Sequence, residues 1–99
     1  MSDYAALVRK HARITILRFL EGAPKYTSNA SMLSAMLPKA GVNFTRDQTV
    51  TELEWLREQG FVNLETYGGI VVAIATLRGV EIAQGVATHP EIQRPRPET

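Results

Sequence analysis

Between Tyr4 and Glu21 the chain contains neither glycine nor proline, and apolar residues recur at helical spacing. The spacing predicts a first helix with Asp3 as its N-cap, stopped by Gly22 and Pro24. Its apolar residues do not fall on one stripe. On a wheel of about 3.6 residues per turn, Val8, Ala12, Ile16 and Phe19 share one side. Leu7 and Ile14 lie nearly opposite, with Leu17 and Leu20 between. A surface helix needs one apolar face about 100° wide. A helix with more is either central to its fold or shared between two protomers.

A second helix is expected after Lys25-Tyr26-Thr27, capped by Ser28 or Asn29, with Met32, Leu33, Met36 and Leu37 as its apolar set and Pro38 and Gly41 as its end. A third is expected from Thr45 as N-cap to Gln59, stopped by Gly60. Val50, Leu53 and Leu56 make its buried face, and Gln48, Thr51, Glu52, Trp55 and Gln59 its outer face. Two β-rich runs, 61–67 and 70–75, flank Gly68-Gly69 and predict a hairpin. Thr76 caps a last helix from Leu77 to about Gln84, closed by Gly85. The expected core is Ile14, Leu17, Leu33, Leu37, Val50, Leu53, Leu56, Phe61, Val72, Ile74 and Ile82. Prolines at 90, 95 and 97 deny the C-terminal stretch a regular helix or ladder. The organisation is a folded domain over 1–87 and an extended tail over 88–99.

The order helix-helix-helix-strand-strand-helix, mainly α with a small β-hairpin, resembles the winged helix-turn-helix proteins. The junction Leu56-Arg57-Glu58-Gln59-Gly60-Phe61-Val62 is similar to the one between third helix and wing in MarR-like and ArsR-like regulators. Leu77-Arg78-Gly79-Val80-Glu81-Ile82-Ala83 looks like the start of their post-wing helix. The resemblance covers roughly residues 3–86. The chain is also similar to small winged-helix proteins of Mu-like prophages, whose tails carry an Arg-Pro pair like Arg94-Pro95.

Composition narrows the chemistry. A chain of 99 residues, 44% hydrophobic and 21% charged, is ordinary for one soluble domain. It has no cysteine, which removes disulfides, thiolate metal sites and cysteine nucleophiles. No apolar run reaches the roughly 18 residues that span a bilayer. No signal peptide is visible, so the expected location is the cytoplasm, with no membrane partner. No serine has a fixed histidine partner, and Gly68-Gly69 is explained as a turn, so no enzymatic activity is expected. His11 and His89 lack further ligands at metal spacing, so neither metal nor cofactor is expected. The net charge of +1 is too small to hold nucleic acid in bulk. It hides a split, however: residues 1–44 carry six basic and two acidic residues, and 45–99 carry five basic and eight acidic.

The resemblance implies a DNA-binding transcriptional regulator acting as a homodimer on double-stranded DNA. Its third helix would enter the major groove with Arg46, Gln48, Thr49, Thr51 and Glu52 near the bases. Arg13, Arg18 and Lys39 would sit on phosphates, and Tyr67 at the wing tip on a sugar or a partner. Surplus apolar surface points to a dimer through Leu7, Ile14, Ile82, Val86 and Ile92. The charge argues the other way. Asp47, Glu52, Glu54 and Glu58 outnumber Arg46 and Arg57 on the third helix, and the wing has no Lys or Arg. The alternative is a protein-interaction or adaptor module of a phage or prophage. It would work through the wing and Trp55, which either packs under the wing or anchors an interface.

Overall fold

The computed structural model describes residues 2–96, and residues 97–99 of the expected tail lie outside that range. Helix α1 spans Ser2–Glu21, so Asp3 sits in its first turn rather than at the cap. A turn at Pro24–Tyr26 then feeds a short strand β1, Thr27–Asn29. Lys25 and Tyr26 in that turn both take left-handed backbone with φ of 56°. Asn29 caps α2, Ala30–Met36, by accepting from the Met32 N–H. A further turn, Leu37–Ala40, leads to α3, Arg46–Glu58. Strands β2, Val62–Tyr67, and β3, Ile70–Ala75, form the expected hairpin, and Thr76 caps α4, Leu77–Ala83. The result is a small mixed α/β domain with a three-stranded antiparallel sheet, ordered β1-β3-β2.

Two features of the sheet depart from expectation. Strand β1 was unforeseen: it pairs Thr27, Ser28 and Asn29 with Ile74, Ala73 and Val72. The faces of β3 are also exchanged. Ala73 and Ala75 are buried and Val71 packs on the core, whereas Val72 and Ile74 are half-buried and Ile70 is exposed. The strand is apolar throughout, so its pattern carries no period. The small residues point inward, where α1 and α2 pack against the strand.

The centre of α1 is enclosed on every side, with all of residues 12–17 buried. Part of the cover comes from the C-terminal segment. Residues 88–96 contain no helix or strand, as expected, but they fold back along their own α1. Ile92 is buried, and the Gln93 N–H donates to the Lys10 carbonyl at 3.2 Å. The abundance of apolar residues on α1 is therefore used within one chain. Ile14, Ile82 and Ile92, expected at a dimer interface, are 4%, 2% and 4% exposed, because they fill this core. Leu7 and Val86 remain exposed.

Most other expected core residues are buried. Val50 is half-buried and packs at the core's edge. Leu53 is fully enclosed. Leu53→Ala is expected to cost about 2–5 kcal/mol by transfer and cavity terms together, read as a lower urea midpoint.

Candidate functional site

The first turn of α3 is built by a reciprocal cap. The Thr45 hydroxyl accepts from the Gln48 N–H at 3.1 Å, and Gln48 Oε1 accepts from the Thr45 N–H at 2.8 Å. Such a box satisfies two helix-end donors at once, and it engages the Gln48 side chain that was expected on adenine. Arg46 is exposed, and its Nη2 donates to the Gly69 carbonyl at 2.8 Å. That bond joins the start of α3 to the tip of the hairpin.

Three residues expected at DNA lie inside the domain. Thr49 is fully buried; its hydroxyl donates to the Thr45 carbonyl at 3.1 Å and accepts from Ser34 at 2.9 Å. Glu52 faces inward because Arg13 meets it there, Nε to Oε1 at 2.7 Å, with both residues buried. The Arg13 guanidinium also lies 3.8 Å from the centre of the Trp55 ring, and its Nη1 donates to the Glu91 carbonyl at 2.9 Å. His89 stands edge-on to both Trp55 and Phe61, at 5.3 and 5.7 Å between ring centres. Trp55 is thus half-buried between α1 and the C-terminal segment, a setting that neither sequence reading of it foresaw. The signal was present: one cation inside the apolar stretch of α1, and one carboxylate beside Leu53.

The outward row of α3 consists of exposed Asp47, Thr51, Glu54 and Glu58. Arg57 is spent on Glu54, at 2.8 Å. On the hairpin, Tyr67 donates its hydroxyl to Glu65 at 2.6 Å. That hydrogen bond, then the charge of Glu65, holds the tyrosine above its ordinary pKa. Tyr67 and Ile70 are both exposed at the tip. Arg18 and Lys39 are not part of this surface. They line a separate cavity with His11, Thr15, Phe19 and Ala40, to which no residue of α3 contributes.

The protein gp26 of Escherichia phage Mu, described as uncharacterized, is 34% identical over 91 residues, covering 92% of this chain and 94% of the phage protein. The chain belongs to the family of phage Mu gp26. An uncharacterized protein from Haemophilus influenzae is 30% identical over 97 residues, or 97% of this chain and 94% of its own length. No protein-family model matches the sequence. Among the described residues, no helix is long and apolar enough to cross a membrane, and no three His, Asp or Glu side chains are grouped to hold a metal ion.

Proposed function

We propose that this gp26-family domain is a winged-helix-type protein-interaction module of a Mu-like phage. In this reading the outer row of α3 and the β2–β3 hairpin meet a protein partner. The winged-helix reading is supported by three helices, a hairpin and a closing helix, with β1 added to the sheet. One observation carries the choice of partner. The exposed charges of α3 and the hairpin are Asp47, Glu54, Glu58 and Glu65 against Arg46 and Arg57, while Arg13 is withdrawn into the core. Four carboxylates set against the phosphate backbone repel it, and no basic wing offsets them. Exposed Tyr67 and Ile70 beside those charges instead supply an apolar centre with a polar rim, the usual anatomy of a protein interface.

The test has two arms. A photo-crosslinker at position 67 during phage growth is expected to capture one discrete protein, and Glu54→Lys with Glu58→Lys is expected to abolish that capture. In parallel, random duplex DNA is titrated against the chain and against Arg46→Ala. Equal affinities are expected. A loss of about 1–3 kcal/mol on a preferred sequence in Arg46→Ala would instead establish a groove-reading α3.

The rival reading is the DNA-binding transcriptional regulator acting as a homodimer. It is favoured by exposed Arg46 on the first turn of α3. It needs two α3 helices about 34 Å apart, and so a dimer surface. With Ile14, Ile82 and Ile92 enclosed, sedimentation equilibrium at micromolar concentration is expected to give a single species of 11.0 kDa. Twice that mass would restore the regulator.

A further inference from the structure

Strand β3 is apolar along its whole length, Ile70-Val71-Val72-Ala73-Ile74-Ala75. An antiparallel strand with one solvated face ordinarily alternates apolar and polar residues, and an unbroken apolar run is the mark of a strand covered on both faces. Only one face of β3 is covered by this domain. Ala73 and Ala75 are buried and Val71 packs on the core. Ile70, Val72 and Ile74 point to the opposite face, where Ile70 is 55% exposed and neither half-buried Val72 nor Ile74 packs on the core. The larger β-branched side chains are therefore the ones turned away from the domain. Threonine at those positions would keep the strand without that apolar surface.

Register sets what surrounds them. On β2, Tyr67 lies opposite Ile70, Glu65 opposite Val72 and Asn63 opposite Ile74. On β1, Asn29 lies opposite Val72 and Thr27 opposite Ile74. Residues directly opposite one another share a face. The outer face thus carries one apolar row, Ile70-Val72-Ile74, between two polar rows, with Tyr67 beside it at the tip. Four steps of about 3.4 Å make the apolar row about 14 Å long, and strands about 4.8 Å apart set the flanking rows about 10 Å from each other. An α-helix is about 10 Å across.

We infer that this face receives an amphipathic helix of the protein partner, laid along β3, with basic residues on the flank beside β2. The inference rests on the protein-interaction reading above and names what the partner presents. Charge selects the occupant. The three strands contain no Lys or Arg, and Glu65 is their one charged residue. The exposed row of α3 adds Asp47, Glu54 and Glu58, with Arg57 already paired to Glu54. A second copy of this chain would bring the same carboxylates. The apolar row with its flanks also has a footprint of only about 140 Å², against about 800 Å² per partner in a stable interface. An anionic lipid surface is repelled by the same carboxylates. A cationic amphipathic helix meets both conditions, with its apolar stripe on the Ile70-Val72-Ile74 row and its cations beside Glu65. The rest of the partner's contact is with the outer row of α3, as proposed above.

The test maps contacts from p-benzoylphenylalanine placed singly at positions 67, 70 and 74 of the full chain during phage growth, with the joined peptides sequenced by mass spectrometry. A helix rises about 1.5 Å per residue. Cross-links from 70 and 74 are therefore expected about 9 residues apart in one partner segment, on one helical face, with Lys or Arg beside them. Any other spacing overturns the inference, such as the roughly 4 residues of an added β-strand. So do cross-links to another copy of this chain. Cross-links from 67 alone overturn it while leaving the protein reading of the hairpin in place, and none from 67, 70 or 74 overturns both. Val72→Thr with Ile74→Thr supplies a second measurement. Threonine keeps the β-branched shape and the strand preference, so the thermal midpoint is expected to stay near the parent's while capture from 67 falls at least tenfold. Undiminished capture by the folded variant also overturns the inference. Should that variant fail to fold, the spacing of the cross-links decides alone.

Discussion

Gly79→Ala is expected to destabilise the domain by about 3 kcal/mol or more, enough to leave much of a marginally stable fold unfolded. A Cβ at this position would stand 2.1 Å from the Phe61 carbonyl oxygen, 3.0 Å from its carbon and 3.3 Å from Leu17 Cδ2. The oxygen cannot swing aside, because it accepts the Thr76 N–H at 3.0 Å and so fixes the start of α4. Alanine in a helix would ordinarily gain about 1 kcal/mol over glycine, so the sign depends on this close approach alone. Gly22→Ala is the control. Its new methyl meets only the Arg18 carbonyl oxygen at 3.6 Å and the Phe19 carbonyl oxygen at 3.9 Å. That variant is expected to match or slightly exceed the parent. Urea midpoints at unchanged m-value decide it. A Gly79→Ala midpoint equal to the parent's would show that α4 does not lie this close to the entrance of β2.

The second large effect belongs to Arg13 and Glu52. Their side chains are 9% and 5% exposed, and they meet at 2.7 Å. Arg13→Met leaves a buried carboxylate without its cation, which costs about 3–5 kcal/mol. It also removes the cation from the Trp55 ring and the donor to the Glu91 carbonyl. Glu52→Leu strands the guanidinium and is expected to cost a similar amount. The double replacement removes both charges and is expected to recover most of the loss, because an apolar pair of similar volume often replaces a buried ion pair at no cost. A double-mutant cycle followed by Trp55 fluorescence reads this directly, since the guanidinium lies on the indole. Simple addition of the two single losses would mean that the pair contributes nothing as a pair.

What sequence could and could not convey is clear at these positions. Most caps were legible: Thr45, Thr76 and, of the pair Ser28 and Asn29, Asn29 each accept a backbone N–H at the start of a helix, as their side-chain chemistry dictates, whereas Asp3 lies inside α1, which already runs from Ser2. Strand β1 was not, since three residues hold too little of a two-residue period. The inner face of β3 was hidden by an unbroken apolar run. On α3 the wheel placed Glu52 outward because a lone carboxylate belongs in water; only its pairing with Arg13, 39 positions away, reverses that. The exposure of Arg46, Thr51 and Tyr67 followed from period and turn chemistry. The separation of Arg18 and Lys39 from α3 did not, because it depends on how α1 is rotated within the packed domain.

The return of the C-terminal segment onto α1 has a consequence for how the molecule is made. Gln93 meets His11 across 82 positions. At a ribosomal pace of about 5–20 residues per second, about 4–16 s separate the synthesis of the two. During that interval the nascent chain lacks the His89 edge on Trp55 and the Glu91 carbonyl on Arg13, while Ile14 awaits its cover. The growing polypeptide therefore presents a sticky seam that the finished one hides. Cellular holding factors have their opening there, before the last residues of the described chain draw the seam shut.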